Sequence, residues 1–157
     1  MEIERKFILP SLPAGSARYE HVEIEQAYIS TDPTIRLRRQ NTQYYLTIKQ
    51  SGLLAREEVE FQLTKAQFDH LWEKVETNMI NKVRILIPLP DDLIAEADVY
   101  YGVLYGLMTV EVEFSSIDQA RCFNPPNWFG TEVTDDPNYS NSSLAIHGMC
   151  LINRLKT

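Results

Sequence analysis

The sequence predicts an α+β protein in which a β-sheet closes on itself around a hydrated, charged interior, with helices packed outside. Along seven predicted strands, charged side chains alternate with Ile, Leu, Val and Phe, and segments of helical period lie between some strands. Solvated faces usually mix Lys and Glu with Ser, Thr and Asn, so an almost purely charged face favours an enclosed interior. The alternative is an open sheet with its charged face in water, from which no function would follow.

Composition predicts one domain over residues 1–157, because this length supports a single substantial core. No apolar run is long enough to span a bilayer, and the Glu-rich start does not resemble a secretory signal. We therefore expect a cytoplasmic protein without a membrane partner. Cys122 and Cys150 have no metal-ligand spacing and are interpreted as buried or incidental thiols, and the three histidines do not cluster, which argues against zinc.

The net charge of −7 disfavours nucleic acid as a partner, because binding to a phosphate backbone needs a broad positive surface. A small polyanion is compatible with this charge. A local cationic pocket can lie inside an acidic protein, so the distribution of the charges matters more than their sum.

The first strand is predicted over residues 1–7, where Glu2, Glu4 and Lys6 share one side. A second strand is predicted over residues 21–30, after a loop rich in proline and glycine. A charged face on one strand is most often simply solvated. The interpretation therefore depends on the same pattern returning further along the chain.

A hairpin follows the second strand. Its first strand, residues 35–40, has Arg36 and Arg38 on one face, and its second strand, residues 44–49, has Lys49 on the corresponding face. The short polar connection between the two strands is typical of a hairpin.

After a turn predicted at Gly52, the charged face returns on residues 56–63, with Arg56, Glu58 and Glu60 on one side. Three later strands continue it: residues 81–87 with Lys82 and Arg84, residues 94–101 with Glu96 and Asp98, and residues 109–114 with Glu111 and Glu113. The recurrence over so many strands is what favours an enclosed charged interior.

Helices are predicted at three places. Apolar residues at helical spacing predict a helix over residues 64–77, with a capping box at its start. A short helix is predicted over residues 116–123, and a last helix after a cap at Asn141 or Ser142. The aromatic stripe of the first helix is interpreted as core packing.

One face of the predicted strands thus carries eight acidic and seven basic side chains: Glu2, Glu4, Lys6, Arg36, Arg38, Lys49, Arg56, Glu58, Glu60, Lys82, Arg84, Glu96, Asp98, Glu111 and Glu113. Enclosed ions are costly unless they are paired or bound to a ligand. The pairs Glu2 with Glu4 and Glu111 with Glu113 suit Mg²⁺ or Mn²⁺, and the cations suit phosphate oxygens. The pattern therefore predicts a site for a metal-bound polyphosphate.

These motifs resemble those of the CYTH domain, the triphosphate tunnel metalloenzyme family. Glu2-Ile3-Glu4-Arg5-Lys6 is similar to its Glu-x-Glu-x-Lys signature. Six further motifs match in order: Arg36-Leu37-Arg38, Thr47-Ile48-Lys49, Arg56-Glu57-Glu58-Val59-Glu60, Lys82-Val83-Arg84, Glu96-Ala97-Asp98 and Glu111-Val112-Glu113. Residues 130–145 resemble the C-terminal segment of the family, although Asn138 and Ser140 stand where members often carry Arg or Lys.

The resemblance implies an eight-stranded antiparallel tunnel that hydrolyses or rearranges triphosphates with a divalent metal. It assigns the metal, Mg²⁺ or Mn²⁺, to Glu2, Glu4, Glu111 and Glu113, and the phosphates to Lys6, Arg36, Arg38, Lys49, Arg56, Lys82 and Arg84. It also implies a catalytic set of Lys6, Glu58, Glu60, Lys82 and Asp98, in which the three acids orient the cations or the waters of a second metal.

Among the reactions of that family, we favour hydrolysis of inorganic tripolyphosphate by a metal-activated water on a terminal phosphoryl group. Cyclisation of ATP also needs a pocket for adenine, and this chain has short loops and no obvious segment to form one. The alternatives are a class IV adenylate cyclase-like activity, hydrolysis of thiamine triphosphate or nucleoside triphosphates, and a non-catalytic polyphosphate-binding module. The expected partner is a small polyphosphate, and a homodimer is left open.

Overall fold

The computed structural model describes residues 1–50 and 55–155. Its strands are β1 (Glu2–Ile8), β2 (Glu20–Thr31), β3 (Thr34–Gln40), β4 (Gln43–Lys49), β5 (Ala55–Arg56), β6 (Glu58–Leu63), β7 (Ile80–Pro88), β8 (Ile94–Tyr101) and β9 (Met108–Glu113). Its helices are α1 (Lys65–Trp72), α2 (Ile117–Cys122), α3 (Asn141–His147) and α4 (Met149–Leu155). The turn predicted at Gly52 lies outside the described residues.

The strands form one antiparallel sheet in the order β5-β1-β9-β8-β7-β2-β3-β4-β6. Its two edge strands, β5 and β6, are consecutive in the chain and separated only by Glu57. Arg56 of β5 pairs with Glu2 of β1, whereas Glu58 of β6 pairs with Lys49 of β4. One extended segment therefore pairs with both edges and makes the sheet a nearly closed barrel, as predicted. The expected eight strands are observed as nine because this segment is divided at Glu57.

The pairing register places the charged side chains on one face, because directly opposed residues of an antiparallel pair point to the same side. Glu4 pairs with Glu113, and Lys6 pairs with Glu111. Strand β2 differs in the kind of side chain that it turns inward: Tyr28 pairs with Arg36 of β3 and therefore lies on the inward face. The inward side chains of β2 are Val22, Ile24, Gln26 and Tyr28, so this part of the wall carries no charge.

The outward face of the sheet holds the larger apolar cluster. Phe7, Val110 and Phe114 pack there with Ala120 of α2 and with Phe129. On another part of the wall, Phe68 of α1 lies 4.8 Å from the ring of Tyr44 in β4. Both helices cover apolar sheet surface from outside, which confirms their predicted placement.

Helix α1 begins as predicted, with both hydrogen bonds of the capping box between Thr64 and Gln67. It ends at Trp72, whereas the spacing of apolar residues predicted a helix to residue 77. The reason is a competing contact with β2: the Glu76 amide donates to the Tyr28 carbonyl at 2.9 Å, and the Thr77 hydroxyl accepts from the Tyr28 amide at 3.1 Å. The last turn of the predicted helix is thereby held beside a strand.

The C-terminal helices pack across one end of the barrel. Leu144 and Ala145 of α3 contact the inward-facing Tyr28, Ile80 and Tyr100. The N-cap of α3 is Ser140, whose hydroxyl accepts from the Ser143 amide at 3.2 Å, so the cap predicted at Asn141 or Ser142 is one or two residues late.

Cys122 and Cys150 are both exposed, so the buried alternative for these thiols is excluded. Among the described residues, no helix has the length and apolar character needed to cross a bilayer.

Candidate active site

A cavity of about 900 Å³ lies inside the barrel. Thirteen of the fifteen charged residues of the predicted face line it: Glu2, Glu4, Lys6, Arg36, Arg38, Lys49, Arg56, Glu58, Glu60, Arg84, Glu96, Glu111 and Glu113. The other two, Lys82 and Asp98, are completely buried in its wall as an ion pair 2.6 Å long. The structure therefore brings every predicted site residue to this cavity or to the wall directly behind it.

Ion pairs join the carboxylates of β1 to Arg56 of the adjacent strand β5 and to Lys49 of β4, near the opposite edge of the sheet. The Lys49 ammonium lies 3.0 and 2.9 Å from the two carboxylate oxygens of Glu2. Arg56 Nη2 lies 3.0 Å from Glu4 Oε1 and 3.7 Å from Glu2 Oε1. The Lys49–Glu2 contact crosses the closure of the barrel, so charges that face the cavity also help to hold the two ends of the sheet together.

The carboxyl groups near this closure titrate over a wide range. Burial and the nearby charges of Glu111 and Glu2 together raise the pKa of Glu4 to about 8. Burial and a hydrogen bond with Glu2 raise the pKa of Glu58 to about 7. Burial alone would raise the pKa of Glu2, but its hydrogen bond with Glu58 and the charge of Lys49 lower it to about 2. At neutral pH the cluster therefore holds protons that a divalent cation could displace.

The four acids predicted to bind a metal do not form a finished metal site. Among the described residues, no group of three or more His, Cys, Asp or Glu side chains is already arranged around one point. Instead Glu2, Glu4 and Glu111 each contact a cation, and Glu113 is exposed. Their chemistry fits Mg²⁺ or Mn²⁺, because they are hard oxygen donors on the paired strands β1 and β9. The negative charges of Glu111 and Glu2 also raise the pKa of Glu4, and a bound cation would offset that repulsion.

A second network lies on the wall formed by β7, β8 and β9. Arg84 Nε and Nη2 donate to the two oxygens of Asp98 at 2.8 and 3.0 Å, and Arg84 Nη1 lies 2.6 Å from Glu96. The Lys6 ammonium lies 3.2 Å from Glu111. Although burial opposes it, Arg84 and Lys82 lower the pKa of Asp98, which is therefore ionised.

Lys82 and Asp98 have no exposed surface, so they act from behind the cavity wall rather than on its surface. Burial lowers the pKa of the Lys82 ammonium to about 7, while the Asp98 carboxylate opposes this shift. The predicted phosphate-binding role of Lys82 and the catalytic role of Asp98 stay predictions. In this structure, Asp98 holds Arg84 with two hydrogen bonds, and Lys82 is paired with Asp98.

Arg36 and Arg38 differ from the other cations of the cavity, because neither forms an ion pair with a described carboxylate. Arg38 Nε donates to Gln26 Oε1 at 3.0 Å, and Arg36 Nη2 donates to Thr47 Oγ1 at 3.2 Å. Arg36 Nε is buried without a hydrogen-bond partner among the described residues. Burial and repulsion from Arg36 and Arg84 lower the pKa of Arg38 to about 9. This is an uncompensated positive region, which favours a bound anion.

The C-terminal segment reaches the cavity. Gly130 N donates to Ile8 O, Ile8 N donates to Thr131 O, and Val133 N donates to Lys6 O, each at 2.8 Å. A Cβ atom at Gly130 would lie 2.6 Å from Ile8 O, so the close approach requires glycine. Beyond this pairing, Asp136, Tyr139, Ser140, Asn141 and Ser142 line the cavity. The tail therefore supplies polar and acidic groups to the cavity.

The sequence pattern missed three polar residues of the site: Gln26, Tyr28 and Thr47. All three are buried on the inward face and directly oppose or contact an arginine or its partner. The alternation of Val22, Ile24, Gln26 and Tyr28 contained a signal, since one buried amide in an otherwise apolar strand face requires a partner.

The fold and the charged cavity define a CYTH domain, and a model of the CYTH domain family matches residues 1–101. The chain belongs to this family. It is 45% identical to an inorganic triphosphatase of Nitrosomonas europaea over 149 residues. This alignment covers 92% of this chain and 97% of that protein. An inorganic triphosphatase of Acetivibrio thermocellus is 33% identical over 147 residues, 91% of this chain and 92% of that protein. A crystal structure of an inorganic triphosphatase superposes with a TM-score of 0.69 at 42% identity, covering 93% of this chain and 95% of that one.

Proposed function

We propose that the chain is an inorganic triphosphatase that uses Mg²⁺ or Mn²⁺ to release orthophosphate from tripolyphosphate. The observation that carries this proposal is a cavity inside the barrel with carboxylates on β1 and β9 and, on β3, two arginines that have no carboxylate partner in the described part of the chain. Strand β3 is four strands from β9 in the sheet order, so the two sets lie across the barrel from one another. A complex of tripolyphosphate with a divalent metal has a positive ion to match the carboxylates and negative phosphates to match the arginines.

The ion pairs support a site that would take metal and phosphate together. Glu2, Glu4, Glu111 and Glu113 would hold the metal, and Lys6, Arg36, Arg38, Lys49, Arg56, Lys82 and Arg84 would hold the phosphates, with Lys82 acting through the wall. In this structure Lys49, Arg56 and Lys6 contact three of these carboxylates. If the carboxylates held a divalent cation instead, the three basic side chains would be available to phosphate oxygens, and a guanidinium group could bind them with two hydrogen bonds.

For the chemistry, a bound divalent cation supplies Lewis acidity and lowers the pKa of a coordinated water. The chain's own residues orient the terminal phosphoryl group and balance its charge in the transition state. Lys6 is held 3.2 Å from Glu111 at the surface of the cavity, where it can contact a phosphate oxygen. Glu58, with a pKa raised to about 7, can accept a proton at neutral pH, and Glu60 and Asp98 orient Thr47 and Arg84.

The test is orthophosphate release from tripolyphosphate and from ATP with Mg²⁺ or Mn²⁺, each repeated with EDTA. We expect faster release from tripolyphosphate and no release in EDTA. Cyclic AMP as the main product from ATP would replace this proposal with a cyclase. Tight tripolyphosphate binding without turnover under either metal would instead indicate a binding module.

A further inference from the structure

Two neutral side chains hold the arginines that lack carboxylate partners. Gln26 accepts from Arg38 Nε through its amide oxygen at 3.0 Å, and Thr47 accepts from Arg36 Nη2 through its hydroxyl at 3.2 Å. Neither Gln26 nor Thr47 has any exposed surface. They lie behind the arginines and out of reach of a molecule in the cavity.

These contacts are built into the sheet. Gln26 directly opposes Arg38 between β2 and β3, and Thr47 directly opposes Arg36 between β3 and β4. Directly opposed side chains on one face of an antiparallel pair have their Cβ atoms about 5 Å apart. Each arginine therefore meets its neutral partner, on the neighbouring strand, through its guanidinium group.

Further hydrogen bonds fix the orientation of both acceptors. Gln26 Nε2 donates to the Tyr28 hydroxyl at 3.1 Å, which turns the amide oxygen toward Arg38. The Thr47 hydroxyl donates to Glu60 Oε1 at 3.0 Å, which leaves its lone pairs for Arg36. Gln26 and Thr47 are thus held as acceptors and cannot easily rotate away.

The neutrality of these acceptors distinguishes them from the partners of other cavity cations. Lys49 contacts Glu2 at 2.9 Å, and Arg84 contacts Glu96 at 2.6 Å, so those cations are largely neutralised. An amide or a hydroxyl orients a guanidinium but adds no negative charge. Arg36 and Arg38 consequently keep their full charge while their side chains are ordered in advance, which reduces the entropic cost of binding an anion.

We infer that Gln26 and Thr47 are positioning residues that aim Arg38 and Arg36 at the phosphates without neutralising them. This inference rests on the proposed function and deepens it, because it names residues that determine affinity for the phosphate chain. They act only through the arginines and do not touch the reacting atoms.

The sharpest test is Gln26→Glu, which keeps the shape and the acceptor but adds a charge beside Arg38. A phosphate must then compete with a carboxylate for the guanidinium. We expect the KM for tripolyphosphate and its Kd by calorimetry with Mg²⁺ to rise about tenfold or more, since a hydrogen bond to a charged group is worth at least a factor of ten, whereas kcat should change less than about threefold. Gln62→Glu adds the same charge at an exposed position of β6 that does not line the cavity and should leave both constants unchanged.

A double-mutant cycle tests whether Gln26 acts through Arg38. In an Arg38→Gln background, the added Gln26→Glu should change KM less than about twofold, because its target is gone. A folded Gln26→Glu protein with unchanged KM and Kd, or the same effect in both backgrounds, would overturn the inference. A wild-type protein that neither binds nor hydrolyses tripolyphosphate would instead refute the proposed function.

Thr47 gives an independent arm that does not add a buried charge. Thr47→Val removes the acceptor of Arg36 and should raise KM about tenfold, whereas Thr47→Ser retains the hydroxyl and should restore it to within about threefold of wild type. Equal KM values for the two variants, with circular dichroism showing both to be folded, would contradict the positioning role. This arm decides the question even where Gln26→Glu fails to fold.

Discussion

At the scale of single residues, the cavity contains two kinds of charge, those already paired and those awaiting a ligand. Arg38 belongs to the second kind, and Glu111 belongs to the first, since it contacts Lys6 at 3.2 Å. Arg38→Gln should raise the KM for tripolyphosphate by about 10- to 100-fold, the loss expected for a charged hydrogen-bonding group. Excess Mg²⁺ should not restore it. Glu111→Gln should chiefly lower metal affinity, so excess Mg²⁺ should recover part of its activity.

Steady-state kinetics over a range of Mg²⁺ concentrations measures this difference. Lys65→Gln is a suitable control, because it also removes one positive charge but from an exposed pair with Asp69 on α1, outside the barrel. Its KM should match that of the wild type. Equal recovery of Arg38→Gln and Glu111→Gln by excess metal would show that the division into phosphate and metal residues is wrong.

The Glu4 carboxyl predicts a pH dependence of the metal-free protein. Its pKa is raised from 4.5 to about 8 in the folded state, so the folded protein binds this proton more tightly than the unfolded chain does. The stabilisation from this group is complete below pH 4.5 and is lost as the pH rises towards 8. Urea unfolding in EDTA should therefore show a smaller free energy of unfolding at pH 8 than at pH 5.

Other groups titrate in the same window, so the comparison with Glu4→Gln isolates this effect. Glu58 acts in the same direction, and Lys82 acts in the opposite direction near pH 7, but both are present in the two proteins. The variant should lose less stability between pH 5 and pH 8 than the wild type does. Parallel pH profiles for the two proteins would mean that Glu4 is not held protonated by its surroundings.

The charged residues of the site could be predicted from their recurring alternation along the strands, whereas the roles of their neutral partners could not. Alternation with a period of two is a local property, so Glu2, Glu4 and Lys6 identify their shared face without any tertiary information. Gln26 and Thr47 look like ordinary polar strand residues in the sequence. Their importance arises from which arginine the register places opposite them, and register is set by pairing between strands.

At the scale of elements, the C-terminal helix α3 connects stability to the site. Leu144 has no exposed surface and packs on the inward-facing Tyr28 and Tyr100, while the residues just before it line the cavity. Leu144→Ala should lower the free energy of unfolding by about 2–5 kcal/mol, the usual cost of such a cavity. Ile146→Ala on the same helix should cost less than about 1 kcal/mol, because Ile146 is 46% exposed. Urea unfolding measures both, and equal losses would contradict the packing of α3.

Elements were predictable where one local signal dominated. The capping box at Thr64 located the start of α1, because both of its hydrogen bonds form within one turn. The end of α1 was not predictable, since it depends on hydrogen bonds with Tyr28 of β2, far away in sequence: the Glu76 amide donates to its carbonyl, and the Thr77 hydroxyl accepts from its amide. The division of the segment around Glu57 into β5 and β6 likewise results from pairing with two different edges of the sheet.

At the scale of the whole molecule, the barrel reconciles an acidic protein with an anionic ligand. The net charge is −7, and the described residues that line the cavity include eight acids and six bases. A bare polyanion would therefore meet repulsion as well as attraction. With a divalent cation bound, the carboxylates would have a counter-charge and their basic partners would be available to phosphate, so we expect the folded barrel to recognise the metal complex rather than either component alone.

Thermal unfolding with and without tripolyphosphate plus Mg²⁺ tests this central claim most directly. A ligand that binds only the folded state adds about 2.7 kcal/mol of stability at one hundred times its Kd. We expect a clear rise in Tm with the two together, a smaller rise with tripolyphosphate in EDTA, and little change with orthophosphate plus Mg²⁺. The absence of a rise specific to tripolyphosphate plus Mg²⁺ would contradict the account, because the proposed site requires the folded barrel to bind this complex.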